Sequence, residues 1–354
     1  MTSKILKSLV TGAFVRHAGY WALARRRRAM AALCYHRVSN EIDPLGLAVC
    51  ESDFARQMQA LANSAHLAPV SATRFFELWS GREEYGARVP LLVSFDDGFQ
   101  DNISVAAPIL KRYGIPAIMF VASDVVAGKP LWYDLIAQLV QAGMAATLHE
   151  KLTALDIPCG SPELHPGKCV EMLRHLPGAT FERALAAIQS LALHVNLAGR
   201  YVGAADLEQW VALGMEVGAH TCSHPCLAAI HPVWAEREMI ESKRFLEHVL
   251  AREVAFFAYP FGGSDDFTAE HCQVLARSGY RMAFTTVQGG NQAGDDPFTV
   301  RRKCVVTGLF ARPGSTFSET LFLADVMGLG ADLKERLRGA PRWRAESGKG
   351  RSIG

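Results

Sequence analysis

Two carboxylates and a glycine, Asp96-Asp97-Gly98, end an apolar run that begins at Leu91. Far downstream, His220 and His224 lie four apart, directly after a second apolar run, Met215 to Ala219. One carboxylate and two imidazoles make three ligands for a divalent transition metal. They leave a coordination position open for water and substrate, which is the mark of a catalytic rather than a structural site. Successive side chains on a strand point to opposite faces, so Asp96 and Asp97 serve one site only if the backbone turns there. Gly98 makes that turn inexpensive. With a metal on Asp97, His220 and His224, Asp96 is left free to take a proton from an attacking water. These parts specify hydrolysis of an acyl group, and they lack an acid for a leaving amine. Plainer readings stand beside this one. Asp-Asp-Gly is also a turn that caps a helix, paired histidines cap loops, and Cys222 and Cys226 interleave with the histidines as candidate thiolate ligands.

The elements that must hold these residues follow from the pattern. Pro225 disfavours helical geometry at His224, so the histidine pair sits in a loop at the end of a strand. Apolar runs predict strands at Ala31–His36, Leu67–Val70, Leu91–Phe95, Ala117–Val121, Met215–Ala219, Val254–Tyr259, Met282–Thr286 and Thr299–Val306, alternating with helices such as Asp53–Leu61 and Ile103–Tyr113. This rhythm favours an α/β barrel of parallel strands over an open sheet, and the active site of such a barrel lies at the C-terminal ends of its strands. From 131 to 200 the rhythm changes to helices broken by proline and glycine, which reads as an insertion on the rim, a lid or specificity element. Trp132-Tyr133 opens it, an aromatic pair that could stack on a bound ring or pack the core of the lid. The expected organisation is a basic amphipathic helix over 1–29, the barrel over 30–310 with its insertion at 131–200, and a C-terminal helix with a basic tail over 311–354.

Charge is unevenly distributed. Residues 1–40 carry eight Lys or Arg and no acid, and residues 332–354 carry seven against three, so the body between them is acidic although the whole chain is formally +2. An acidic body argues against a nucleic-acid partner. The basic amphipathic start suits peripheral contact with an anionic membrane surface, or docking on the domain. No apolar run is long enough to span a bilayer, and the first residues lack the continuous apolar core of a signal peptide. The expectation is therefore a cytoplasmic protein, at most peripheral at the inner membrane face. The eight cysteines form no close pairs, consistent with reduced thiols.

Three ordered motifs resemble the polysaccharide deacetylases with the NodB homology domain: Ser94-Phe95-Asp96-Asp97-Gly98, His220 to His224, and Phe257-Ala258-Tyr259-Pro260-Phe261-Gly262. The resemblance covers roughly Leu33 to Val306. It implies a distorted (β/α) barrel with a helical insertion, one zinc-type divalent metal per chain, and removal of N-acetyl groups from an amino sugar in a saccharide or glycolipid precursor. By that resemblance Asp96 is the base, and Asp97, His220 and His224 are the ligands. The Phe261 N–H enters the oxyanion hole, with Tyr259 beside it on the substrate side. Two family features are missing. The third-motif arginine is replaced by Ala258, so Arg301 or Arg302 on the last strand would have to stand in, with Asp101 as a helix cap or further support. The late histidine that serves as acid is also absent, since no histidine follows His271. Tyr35-His36 resembles the pair that the exopolysaccharide branch carries on its first strand, which assigns the acid to His36. A catalytically impaired sugar-binding barrel, or a deacetylase of a small non-sugar amide, are the competing readings.

Overall fold

The structure, a computed structural model, describes residues 18–157, 163, 165–307 and 317–327. Its strands are β1 (Ala29–Tyr35), β2 (Arg37–Val38), β3 (Ala48–Val49), β4 (Leu67–Pro69), β5 (Val89–Asp97), β6 (Ala117–Val121), β7 (Glu216–Ala219), β8 (Phe256–Ala258), β9 (Met282–Thr285), β10 (Asn291–Gln292), β11 (Val300–Arg301) and β12 (Lys303–Cys304). The main sheet runs β10-β1-β5-β6-β7-β8-β9-β11, with β4 beside β5 and β12 beside β1. All of its pairings are parallel except β1 with β10. Apolar residues on both faces of β5 and β6 are what a doubly covered parallel sheet requires.

Closure of the barrel explains a departure from the predicted strand at Thr299–Val306. Its first half pairs with β9 and its second half with β1. Two short strands joined at Arg302 therefore carry the chain from one edge of the sheet to the other, and the sheet nearly closes. Alternation along the strands divides the core. Leu33, Val93, Phe95 and Met119 face the surrounding helices, whereas Ala32, Leu92, Ile118, Phe120 and Phe284 fill the interior. The helix Ala72–Trp79 packs Phe75, Leu78 and Trp79 against that interior cluster. Glu216, at the start of β7, accepts the Thr73 N–H at 3.1 Å. This end of the barrel is sealed, and chemistry is confined to the C-terminal ends of the strands.

Gly218 is one position where the absence of a side chain is required. A Cβ there would lie 2.4 Å from the Phe120 ring and 2.9 Å from the Phe256 carbonyl oxygen. Gly218→Ala is expected to cost about 1–3 kcal/mol through overpacking, read by chemical denaturation. Unchanged stability would mean that the interior has slack at Phe120.

Helices Trp132–Gln141, Ala145–Thr153, Pro166–Leu173 and Gly178–Gln189 occupy the segment from 131 to 200. Helix Ala18–Arg26 docks through Trp21, whose ring is buried and stacks on His66 at 4.6 Å. Trp21 is thereby taken up by the domain rather than left for a membrane. The rest of the expected amphipathic helix, residues 1–17, lies outside the described residues, as do the Pro158–Pro162 break and the basic tail from 328. Among the described residues no helix is long and apolar enough to cross a membrane.

Candidate active site

β5 ends in an inward carboxylate and then in a reversal. Asp96, 2 % exposed, continues the inward series of Leu92 and Ser94. Asp97 then adopts φ +78° and Gly98 φ +94°. That left-handed step breaks the alternation and turns both carboxylates toward one site. A glycine at 98 is required as well, because a Cβ would meet Val121, Val202 and Val125 at 3.1–3.3 Å.

Of the seven non-glycine residues with positive φ among the described residues, Asp97, Thr221, His224 and Phe261 are in this site. Such conformations cost of order 1–3 kcal/mol each and persist where surrounding contacts enforce them. Those contacts are visible. The Thr221 hydroxyl accepts the His224 N–H at 3.0 Å, and the Glu238 carboxylate accepts the N–H groups of Cys222 and Ser223 at 2.8 and 2.9 Å.

Asp97 Oδ1 lies 3.4 Å from Nε2 of both His220 and His224. All three residues are buried, and one ligand atom from each falls within 4.8 Å of the others. The His220 Nδ1–H donates to the Ala258 carbonyl at 2.7 Å, which fixes the ring and turns Nε2 toward Asp97. Burial holds the His224 imidazole down at about 3, so it is a neutral lone-pair donor. Burial pushes the Asp97 carboxyl up, but His220, His36 and His224 outweigh this and leave it below the usual range. Both Asp97 oxygens and His224 Nδ1 are buried without a hydrogen-bond partner. Buried polar groups are seldom left unpaired, so the orphaned Asp97 carboxylate, with Nε2 of both imidazoles 3.4 Å from its Oδ1, lies where a divalent cation would find ligands, and the donor set of one carboxylate and two imidazoles suits one.

Arg302 meets Asp96 from the point of barrel closure. Its Nη1 and Nη2 donate to the two carboxylate oxygens at 2.6 and 2.7 Å, Nη1 also to Ser94 Oγ at 3.0 Å, and Nε to the Thr285 carbonyl at 3.2 Å. The guanidinium is fully buried and lies over the rings of Phe120 and Phe284, 5.3 and 6.0 Å from their centroids. Burial raises the Asp96 carboxyl, but Arg302 and then His220 more than offset this and hold it below its ordinary value. The Cys34 thiol adds a third donor to Asp96 at 3.3 Å.

His36, just beyond β1, is half-buried, and one of its ring nitrogens lies within 4.8 Å of an Asp96 oxygen. Asn102 Nδ2 donates to the His36 carbonyl at 2.9 Å, and Asp101 receives Arg37 Nε at 2.9 Å and the Val38 N–H at 3.2 Å. Asp101 therefore supports the His36 segment; its side chain makes no helix-capping bond. The Phe261 N–H donates to no acceptor among the described residues, while its carbonyl takes the Thr286 hydroxyl at 2.6 Å. Gly262 has φ +69°, and a Cβ there would lie 2.8 Å from Thr286 N.

Three expectations need correcting. Trp132 is 1 % exposed, donates Nε1–H to the His224 carbonyl at 2.9 Å and packs edge-on against Phe181, so it has no face for a sugar. Tyr259 is buried, stacked on Phe267 at 4.1 Å, and donates its hydroxyl to the Phe298 carbonyl at 3.0 Å, which makes it core. Arg301 runs beside Gly289, and it is Arg302 that reaches Asp96. The insertion is likewise a collar more than a lid. It begins at Trp132 on His224, and it ends where Arg200 and Tyr201 grip Asp134 and where the Val202 N–H donates to the Gly98 carbonyl at 3.0 Å.

Comparison with known proteins now bears on this geometry. The model of the polysaccharide deacetylase family matches residues 183–283, a stretch that includes both histidines and the third motif. Over that stretch the chain is similar to the polysaccharide deacetylases. YxkH of Bacillus subtilis (strain 168), whose name assigns it to the polysaccharide deacetylases, is 20% identical over 303 residues, 85% of this chain and 80% of the relative. The fold is shared with the Streptococcus pyogenes deacetylase PplD, with TM-score 0.57, 18% identity, and coverage of 84% of this chain and 98% of that one. It is shared also with IcaB from Ammonifex degensii, with TM-score 0.55, 20% identity, and coverage of 85% and 97%. The site described above lies at the rim of the barrel fold shared with both.

Proposed function

We propose that this carbohydrate deacetylase is a divalent-metal-dependent N-deacetylase of the exopolysaccharide type, which hydrolyses the acetamide of an amino sugar to acetate and a free amine. The observation that carries the reading is the convergence of buried Asp97, His220 and His224, with both Asp97 oxygens lacking a hydrogen-bond partner, beside a carboxylate that a buried arginine holds ionised. A cation on those three ligands, zinc by its donor set, supplies a Lewis acid for the acetamide carbonyl and lowers the pKa of the attacking water.

The remaining work belongs to the chain. Asp96 takes the water's proton as the C–O bond forms. The unengaged Phe261 N–H offers a donor for the charge that develops on the carbonyl oxygen. His36 gives a proton to the nitrogen as the C–N bond breaks, so water is divided between acetate and amine. Support for turnover over a sugar-binding role comes from Arg302, since the orienting arginine that Ala258 cannot provide is supplied from the other side of the barrel.

Elemental analysis of the purified chain beside His220→Ala, with acetate release from N-acetylglucosamine oligomers, tests this. About one metal per chain, lost in the variant, together with acetate release is the expected result. Equal metal content in both proteins would remove the ligand assignment, and metal without acetate would favour a saccharide-binding role.

A further inference from the structure

Each metal ligand needs something to hold it, and two of the three have an evident partner. His220 is fixed through Nδ1 on the Ala258 carbonyl, and His224 through its own carbonyl on Trp132 Nε1. Asp97 has none. Its Oδ1 stands between the two imidazoles, 3.4 Å from each Nε2, and its Oδ2 is buried with no donor.

Beside this carboxylate is a second orphan. Tyr133, in the first turn of helix Trp132–Gln141, is 4 % exposed, and its hydroxyl is buried without a hydrogen-bond partner. Its ring lies 4.9 Å from that of His224. The same imidazole holds its Nε2 3.4 Å from Asp97 Oδ1, so the phenol ring and the orphaned carboxylate both border His224. Both flanking residues are pinned. Trp132 holds the His224 carbonyl, and Asp134 is gripped by Arg200 and Tyr201 at the insertion's far end. Tyr133 has no route away from the site.

We propose that Tyr133 is a positioning residue for the metal centre, whose hydroxyl donates to the Asp97 oxygen left over when Oδ1 joins His220 and His224 on the cation. The proposal rests on the metal reading above and deepens it. Two buried orphans are satisfied by one bond, and a neutral phenol orients the carboxylate without cancelling its charge. The insertion acquires a role in the same step: its first turn supplies a support for the ligand set.

Tyr133→Phe tests this, because it deletes the hydroxyl and keeps the ring against His224. Zinc affinity is measured by competition with a chromophoric chelator, and Tm with and without zinc, for the full chain, Tyr133→Phe and His220→Ala. The expected result is about 10–100-fold weaker zinc binding in Tyr133→Phe, with an unchanged Tm for the zinc-free protein and a smaller zinc-induced rise. Equal zinc affinity in Tyr133→Phe and the unaltered chain would overturn the inference, and with slower acetate release it would move the hydroxyl onto the substrate. An equal loss of Tm with and without zinc would reduce Tyr133 to a packing residue. If His220→Ala bound zinc as well as the unaltered chain, the ligand assignment itself would fail, and this proposal with it.

Discussion

Asp96→Asn is expected to retain metal and to release acetate about 10²–10⁴-fold more slowly, the usual worth of a positioned proton acceptor. Asparagine has nearly the same shape and keeps one oxygen for Arg302, so the interior is preserved while the basic oxygen is lost. Metal content by elemental analysis separates this from misfolding, since Asp97 and both histidines remain. A wild-type rate in the variant would take the base role from Asp96. The pH dependence sharpens the test. Arg302 holds the Asp96 carboxyl below its ordinary value, so Asp96 is ionised throughout the neutral and mildly acidic range. The ratio of the two rates is therefore expected to stay flat between about pH 5 and 8, well above the unperturbed aspartate value of about 3.9. A ratio that collapses on acidification within that window would mean that Asp96 is protonated there and that Arg302 does not control it.

The parts of this site that were legible in the sequence are those whose signal is local. Strand-length runs located β1, β5, β6, β7 and β9, and the carboxylates that end β5 and the histidines that follow β1 and β7 were visible because polar groups after a buried strand are conspicuous. Other features depend on contacts between distant segments. The turn at Asp97-Gly98 was expected from the glycine, yet Asp97 itself adopts positive φ as well, a conformation aspartate tolerates better than most side chains but one that nothing local in the sequence requires. Arg301 and Arg302 are indistinguishable by type. Which one points inward is decided by the change of partner from β9 to β1 between them, a register that periodicity does not carry across the break. Trp132 and Tyr259 have the composition of sugar-binding residues, but helix packing buried both. Glu238 had no signal at all, because its partners are backbone N–H groups of the His220–His224 loop. Tyr133 follows Trp132 as an ordinary aromatic, and its relation to Asp97 exists only once the insertion has closed on the barrel.

Arg302→Met is expected to destabilise the protein by about 3–5 kcal/mol at neutral pH, because it leaves a buried carboxylate without its countercharge. Both partners are almost wholly excluded from water, so added salt should restore little of this loss. The direction of the pH dependence follows from the shift. With Arg302 present, the folded Asp96 pKa is lowered, so the pair contributes stability above the unfolded aspartate pKa, and this is lost as pH falls through the folded value. Without Arg302, burial is left as the largest influence on Asp96 and raises its folded pKa. The deficit of the variant then grows as pH rises from about 4 and is relieved in acid. Urea denaturation of both proteins across that range measures it, and a deficit independent of pH would show that the loss is one of packing against Phe120 and Phe284. The double variant Asp96→Asn, Arg302→Met separates structure from chemistry. Removing both charges takes away the uncompensated ion, so the double variant is expected to be more stable than Arg302→Met alone, with a coupling of roughly 0.5–3 kcal/mol in the cycle. Its acetate release should nevertheless remain as low as that of Asp96→Asn. Recovered stability without recovered rate would identify the ion pair as the means by which the barrel's closing segment holds a charged base in an apolar interior. If the double variant were no more stable than Arg302→Met, Asp96 and Arg302 would be acting independently, and the base would owe its position to Cys34 and the turn at Asp97.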